Sequence, residues 1–281
     1  MDQKKALIVA NLTKKDASKL VKEIEARTSE SGYRVEKICF TGPPDVTEVN
    51  DIDIAFSLGG DGTVLYTTRI VPDKTPVFAI NLGDVGFITE IAKGEWELAF
   101  EKFINGKLGI SKRKMIDIIV ERNGQEAGSF RGLNDAVISS GGISKMIRLE
   151  VFLKDTRLGK YRADGIIIAT PTGSTAYSAA AGGPLLFPEM DAMILTPICP
   201  FSLSNRPLVI PGSECVYVHV EKYQRTELLL TIDGQHIFNL EPEDRICYTV
   251  SDNEAYIIRS DKRSFYEVMR SKLNWSGGPD D

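Results

Sequence analysis

The chain has 281 residues, 42% of them hydrophobic and 26% charged, an ordinary balance for a soluble globular protein with room for one large domain or two modest ones. Its formal net charge of −5 argues against a nucleic-acid partner, although local basic patches can still receive a phosphorylated small molecule. The apolar run near the start is too short for a secretory signal, and no stretch approaches the ~20 apolar residues of a membrane helix, so a cytoplasmic protein with no membrane partner is expected.

Residues 1–100 alternate between strand-like and helix-like periods. "KALIVANL" reads as a short buried strand. Ala17, Leu20, Val21 and Ile24 then fall at helical spacing, with Asp16 as the expected cap and Gly32 as the stop. "YRVEKICF" and "DIDIAFSL" read as the second and third strands, and the latter runs into a glycine turn. "TVLYTTRIV" returns to a helical period, "PVFAINL" is a fourth strand, and Trp96, Ala99, Phe100 and Phe103 mark another helix. Strand and helix in alternation imply a parallel sheet with helices on its faces.

The rhythm changes near residue 110. "MIDIIVERNGQEAGSF" sets Asn-Gly between two extended runs, a strong hairpin signal. "RLEVFLKDTRLGKYRADGIIIAT" reads as another strand pair, and "CVYVHVE", "ELLLTID", "RICYTV" and "EAYIIR" as further strands of a mainly antiparallel β domain. "KRSFYEVMRSKLNW" is helical again, with Phe265, Val268, Met269 and Leu273 on one face, and a lone helix there is expected to pack back on the first domain. The tail "SGGPDD" is expected to be disordered. Cys39, Cys199, Cys215 and Cys247 are widely spaced and the only histidines are His219 and His236. Buried, reduced thiols and no protein metal site are therefore expected.

Three stretches could carry chemistry. The first is Gly59-Gly60-Asp61-Gly62-Thr63 at the end of the third strand. Ligands bind beyond the carboxyl ends of strands in open parallel sheets, glycine lets a phosphate approach the backbone, and the next helix start offers N–H groups to an anion. A carboxylate would repel phosphate, so Asp61 either accepts from a hydroxyl or meets a metal ion, or it merely caps the turn. The turn fits neither G-x-x-x-x-G-K-[ST] nor G-x-G-x-x-G, because Leu65 holds the last position. The second is Thr170 to Ser178, with five Ser or Thr hydroxyls in nine residues, followed by small residues that permit close approach; hydroxyls of this kind also suit turns and caps. The third is Asn134-Asp135, an amide beside a carboxylate, able to grip ribose hydroxyls or an exocyclic amine and also common in ordinary turns.

In this order, "GGDGT" at 59–63, "INLGDVGFI" at 80–88, "LND" at 133–135, "TPTGSTAYS" at 170–178 and "PICPFSLSNRPLVIP" at 197–211 resemble the blocks of the NAD kinase family over nearly the whole chain. "GGDGT" alone is shared with lipid kinases of the diacylglycerol and sphingosine type, whereas "TPTGSTAYS" at this separation is far more specific. The resemblance implies a Rossmann-like α/β domain over 1–100 with 260–281 and a β-rich NAD-binding domain over 101–259. It implies transfer of the ATP γ-phosphoryl group to the 2′-hydroxyl of the adenosine ribose of NAD, with Mg²⁺ or another divalent cation on the phosphates. Asp61 would take the hydroxyl proton, and Gly59, Gly60, Gly62 and Thr63 would form the phosphate-side turn.

The remaining assignments carry over by position. Asn134 and Asp135 resemble the dinucleotide-binding pair, and Lys145 and Arg162 lie where relatives approach the substrate or its phosphates. Asp164 matches a carboxylate directed to the nicotinamide end. Thr175, Ala176, Tyr177, Ser178, Ala179 and Ala180 resemble the stretch around adenosine, and Gln235 matches a further contact, though "DGQ" is also a good hairpin turn. Tyr66 stands where several relatives carry a basic residue, which weakens the expectation of a phosphate grip there. Asp135 is often Glu in relatives, and Arg162 leans toward NAD over NADH. A homodimer or homotetramer is implied. The alternatives are a lipid kinase and a non-catalytic NAD(P)-binding sensor.

Overall fold

The computed structural model describes residues 3–44, 47, 49–83, 86–142 and 145–274. The chain forms two compact units, residues 1–112 with 255–281, and residues 113–254.

The first unit is an α/β layer. Its strands are β1 (Lys5–Asn11), β2 (Arg34–Phe40), β3 (Ile54–Gly59), β4 (Pro76–Asn81) and the short β5 (Ile91–Ala92); its first helices are α1 (Ala17–Glu30), α2 (Asp61–Ile70) and α3 (Trp96–Ile104). The sheet runs β2-β1-β3-β4 and every pairing is parallel. Tyr256 and Ile257 add alongside Pro76 and Val77, again in parallel. β1, β3 and β4 are nearly continuous apolar runs because helices cover both faces of a parallel sheet. Phe56 stacks on Phe78 with ring centroids 5.1 Å apart and planes at 9°, and Phe100 and Phe103 of α3 meet the Phe78 ring edge-on. This aromatic block fixes the strands whose carboxyl ends carry the glycine turn.

Two local expectations change. Asp16 has a left-handed backbone (φ 68°) and caps no N–H of α1; its carboxylate instead accepts from Lys93 Nζ at 2.7 Å. The four cysteines are free, but Cys39 and Cys199 are exposed and the other two half-buried. Cys39 and Cys247 lie on strands that present alternate residues to solvent, and Cys199 and Cys215 lie just outside strands.

The second unit is built from β6 (Ile110–Arg122), β7 (Gln125–Gly132), β8 (Asp135–Ser140), β9 (Ile147–Leu153), β10 (Thr156–Ala163), β11 (Gly165–Ala169), β12 (Ala192–Ile198), β13 (Leu208–Pro211), β14 (Val216–Val220), β15 (Leu228–Ile232), β16 (His236–Leu240) and β17 (Arg245–Ile258), with the one-turn α4 (Tyr177–Ala180) after β11. β10-β9-β14-β17 and the β6–β7 hairpin form one antiparallel arrangement, and a second sheet runs β13-β12-β11-β8-β15-β16, antiparallel throughout. Asn123 and Gly124 both have positive φ, as a two-residue hairpin turn requires. "RICYTV" and "EAYIIR" are one strand, β17, rather than two. Alternation along the second sheet fills two cores: Ala136, Ile138, Ile166 and Ile168 face one, and Val137, Ile167 and Ala169 the other.

The chain ends in α5 (Phe265–Leu273), opened by a reciprocal capping box between Ser264 and Glu267. Its entry is tied to the first unit: Arg263 makes a two-pronged pair with Glu95 at 2.7 and 2.9 Å. Val268 is the one fully buried residue of α5, and Leu273 of the expected face is exposed. The tail 276–281 and part of "INLGDVGFI" (residues 84 and 85) lie outside the described residues. Phe78→Ala should destabilise the first unit by roughly 3–5 kcal/mol, measured by chemical denaturation. A loss below about 1 kcal/mol would show that the aromatic block does not hold the sheet.

Candidate functional site

The turn after β3 is shaped by a lack of side chains. A Cβ on Gly59 would lie 2.1 Å from Thr63 Oγ1, whereas one on Gly60 would meet open space. Thr63 is buried, Gly62 is exposed, and Asp61 begins α2. The Asp61 carboxylate does not cap its own helix. It reaches the segment after β4: Oδ2 accepts from Phe87 N at 3.0 Å, and Oδ1 accepts from Ile88 N at 3.2 Å, Thr89 N at 3.0 Å and Thr89 Oγ1 at 2.9 Å. Thr89 Oγ1 in turn accepts from Asn81 Nδ2 at 2.6 Å and Gly86 N at 3.0 Å. Its one proton and two lone pairs are thereby all used. A Cβ on Gly86 would sit 2.1 Å from Asp61 Oδ1, so this glycine is what lets the carboxylate dock.

Among the described residues Oδ1 therefore has three donors and Oδ2 has one. A carboxylate oxygen offers two lone-pair directions, so Oδ2 retains room for one more donor or a cation. Tyr66, in place of a basic residue, is a core side chain 1% exposed, edge-on to Phe40 at 5.8 Å.

In the second unit the sheet order itself assembles the candidate residues. β8 lies between β11 and β15, both antiparallel to it, so its start meets the ends of both: Asp135 pairs with Ala169, and Ala136 with Ile232. "LND", the start of "TPTGSTAYS" and the "DGQ" turn thus share one sheet end. Gly173 packs so closely that a Cβ there would lie 2.0 Å from the Asn134 carbonyl oxygen.

Most of the hydroxyls in 170–178 are turned to the protein. Thr170 Oγ1 donates to Leu133 O at 2.6 Å and accepts from Gly173 N at 3.1 Å. Ser174 Oγ accepts from Leu186 N at 3.0 Å, Thr175 Oγ1 donates to Thr172 O at 3.2 Å, and the Ser178 and Thr196 hydroxyls are 2.9 Å apart. Thr172 Oγ1 is buried with no partner among the described residues. Ala176 and Ala179 are half-buried, and Tyr177 and Ala180 are exposed. The hydroxyl-rich stretch is thus in large part an internal clip, and Tyr177 is its large exposed side chain.

Asn134 and Asp135 differ from this pattern. Asn134 Oδ1 is buried without a partner, and no hydrogen bond reaches the Asp135 carboxyl among the described residues. Burial, with the nearby Asp233 carboxylate adding to it, pushes the Asp135 carboxyl up to about 7. Asp233 escaped sequence reasoning: its carboxylate accepts from Leu133 N at 2.9 Å, Asn134 N at 2.7 Å and Asp135 N at 3.1 Å. The "DG" dipeptide announced a turn and gave no sign of this reach. Gln235 is exposed and its N–H closes that turn on Ile232 O at 2.9 Å.

Lys145, Arg162 and Asp164 are exposed. Arg162 lies over the Phe201 ring, 4.9 Å from its centroid. Arg162 and Asp164 precede β11, whereas Thr170 follows it, so five strand residues, roughly 16 Å at about 3.3 Å each, separate the two groups. Within one chain they are not brought together.

Residues 43–108 match the family model described as "ATP-NAD kinase N-terminal domain" and residues 133–260 the model described as "ATP-NAD kinase C-terminal domain". A protein named NAD kinase from Treponema denticola is 44% identical over 98% of this chain and 97% of its own. One from Syntrophotalea carbinolica is 41% identical over 80% of this chain and 79% of its own. Among solved structures, an NAD kinase from Archaeoglobus fulgidus in complex with ATP superposes with a TM-score of 0.75 at 26% identity, over 94% of this chain and 98% of that one. The yeast NADH kinase complexed with NADH superposes with a TM-score of 0.85, over 100% of this chain and 90% of that one; at 22% identity it speaks to the fold.

Two outcomes follow from this geometry. Gly173→Ala should lower the melting temperature by several degrees, because the new methyl group meets backbone rather than a movable side chain; an unchanged melting temperature would mean the two segments are not packed as described. Asp135 gives a pH signature. Its folded form keeps a proton between about pH 4 and 7 that the unfolded chain releases, so its contribution to stability falls as pH rises through that window and levels off above it. Asp135→Asn should therefore gain stability relative to the parent by up to about 4 kcal/mol at pH 8, with the gain vanishing at pH 4. The same difference at both pH values would remove the raised ionisation.

Proposed function

The chain belongs to the NAD kinase family, and from that premise we propose that it transfers the γ-phosphoryl group of ATP to the 2′-hydroxyl of the adenosine ribose of NAD, forming NADP. The observation that carries the assignment of roles is the unequal loading of Asp61, with three donors on Oδ1 and one on Oδ2. The docked Oδ1 fixes the side chain, and Oδ2 is the atom that accepts the hydroxyl hydrogen bond and then its proton. Phosphoryl transfer demands alignment and charge stabilisation more than covalent catalysis, and a carboxylate anchored on one side is suited to that. Gly59, Gly60, Gly62 and Thr63 form the turn on the phosphate side, where the small residues leave room for a nucleotide.

The other roles rest on chemistry and on position. Asn134 and Asp135 hold adenine and ribose groups, which agrees with side chains lacking protein partners. Thr175 to Ala180 line the adenosine half, with Tyr177 able to cover a base, and Gln235 adds a contact from the turn. Lys145, Arg162 and Asp164 meet the phosphate and nicotinamide side. Their distance along β11 from Thr170 favours delivery by a second copy, in keeping with a homodimer or homotetramer. The edge strands β13 and β16 expose Leu208, Val209 and Ile237, apolar edges that invite pairing.

A divalent cation is carried by the ATP phosphates in this reading. No group of three or more His, Cys, Asp or Glu residues able to hold an ion is present among the described residues. When bound, Mg²⁺ would neutralise charge on the transferring group. No helix among the described residues is long and apolar enough to cross a membrane.

Purified protein given NAD and Mg-ATP should form NADP; tight nucleotide binding without turnover would replace the enzyme with a sensor. Asp61→Asn should lower kcat by about 100-fold or more while ATP still binds. Thr89→Val, which disturbs the docked segment but spares Oδ2, should lose far less. Equal losses in the two variants would reduce Asp61 to an anchor.

A further inference from the structure

Every backbone polar group of Leu133, Asn134 and Asp135 is paired. The three N–H groups all point at the Asp233 carboxylate: Oδ2 takes Leu133 and Oδ1 takes Asn134 and Asp135. The three carbonyls are matched by Thr170 Oγ1 at 2.6 Å, Thr170 N at 2.8 Å and Asp233 N at 2.9 Å, in chain order. Asp233 is itself buried and held in the left-handed region (φ 51°) beside Gly234 (φ 64°). It cannot swing away without opening the β15–β16 turn. A Cβ on Gly132 would lie 3.2 Å from Asp233 Oδ1, so the chain is stripped of side chains where the carboxylate docks. Against this fixed backbone, the Asn134 amide oxygen and the Asp135 carboxyl have no hydrogen-bond partner among the described residues.

We propose that Asp233 is a positioning residue for NAD: by gathering the three N–H groups of 133–135 it sets the Asn134 and Asp135 side chains in the orientation that receives the dinucleotide. This rests on the reading that Asn134 and Asp135 bind NAD. Asp233 touches neither substrate in this assignment. A carboxylate holding three successive N–H groups is stronger than three neutral bonds, because each is charge-assisted. Its charge also acts on the neighbouring Asp135 carboxyl. Geometry and ionisation of the NAD-facing pair therefore depend on the same side chain.

Asp233→Asn tests this on the full-length protein. Asn-Gly is the favoured pair for a turn with two positive φ values, so the substitution keeps the hairpin while removing the charge and one acceptor. The expected result is a KM for NAD raised about tenfold or more, with the KM for ATP little changed. The ionised Asp135 carboxylate accepts ribose hydroxyls, so in the parent the KM for NAD rises as pH falls below about 7; in Asp233→Asn that rise moves to lower pH, because a neighbouring negative charge is gone. Gly234→Ala strains the same turn (φ 64°) without touching the carboxylate. It should lower the melting temperature and leave both the KM for NAD and its pH dependence in place.

If Asp233→Asn and Gly234→Ala behave alike, with lost stability and an unaltered KM for NAD, Asp233 only closes the hairpin and the proposal is overturned. Should Asp233→Asn not fold, Gly132→Ala presses on the same carboxylate more gently, and an unaltered KM for NAD there overturns the proposal equally. Asn134→Ala separates the premise from the inference. If it leaves the KM for NAD unchanged, the site reading fails and this inference with it. If it raises that KM while Asp233→Asn does not, only the inference fails.

Discussion

A carboxylate that accepts consecutive backbone N–H groups at the end of a strand is the interaction on which the candidate site depends. It occurs twice. Asp61 gathers Phe87, Ile88 and Thr89, and Asp233 gathers Leu133, Asn134 and Asp135. Irregular backbone near a core must pair its N–H groups or be destabilised by the loss of water. A helix or strand would pair them with other backbone but would impose its own direction on the side chains. A single carboxylate pairs three at once and leaves the segment free to turn. That freedom lets Asn134 and Asp135 stand with polar side chains unmatched inside a well-bonded frame.

The sheet order gives these clamps their targets. In the second unit β8 is central, and its antiparallel neighbours β11 and β15 both end where it begins. Three segments distant in sequence therefore meet at one edge, where the hydrogen bonds of Asp233 and Thr170 to residues 133–135 tie them together. Glycines then set how closely they meet. Gly173 lies against the Asn134 carbonyl and Gly86 against the Asp61 carboxylate. In both places the missing side chain makes room for a protein group, whereas glycine near a phosphate turn is usually read as room for ligand.

Much of this architecture was legible in the chain, and what was not has a common cause. Period-two and period-3.6 patterns placed β1, β3, β4, α1 and α3, and Asn123-Gly124 marked its hairpin, because those signals are local. β17 was read as two strands because "SDN" between its halves has loop composition; cross-strand pairing decides such a case, and pairing is not local. Asp16 was read as a cap from its position alone, yet a carboxylate answers to whichever donor is nearest in space, and Lys93 is 77 residues away. Asp233 was missed for the same reason: its partners are about a hundred residues upstream. The motifs "GGDGT", "LND" and "TPTGSTAYS" drew attention to these turns, but they did not show which hydroxyls are bonded within the protein, as those of Thr170, Ser174 and Ser178 are.

Asp61 has to satisfy both demands with one side chain, and its two oxygens divide them. An oxygen that already accepts three donors has no direction left from which a substrate hydroxyl could approach, so Oδ1 is committed to the segment 87–89. Oδ2, with one donor, keeps an open lone pair. Docking through Oδ1 removes the rotational freedom that would otherwise be lost on aligning a base with its hydroxyl, and that loss is among the larger entropic terms in a transfer reaction. Gly86 makes the docking sterically possible, and Thr89 completes it by donating to Asp61 while accepting from Asn81 and Gly86. Residues that touch no nucleotide in this assignment thus determine how well one carboxylate oxygen is aimed.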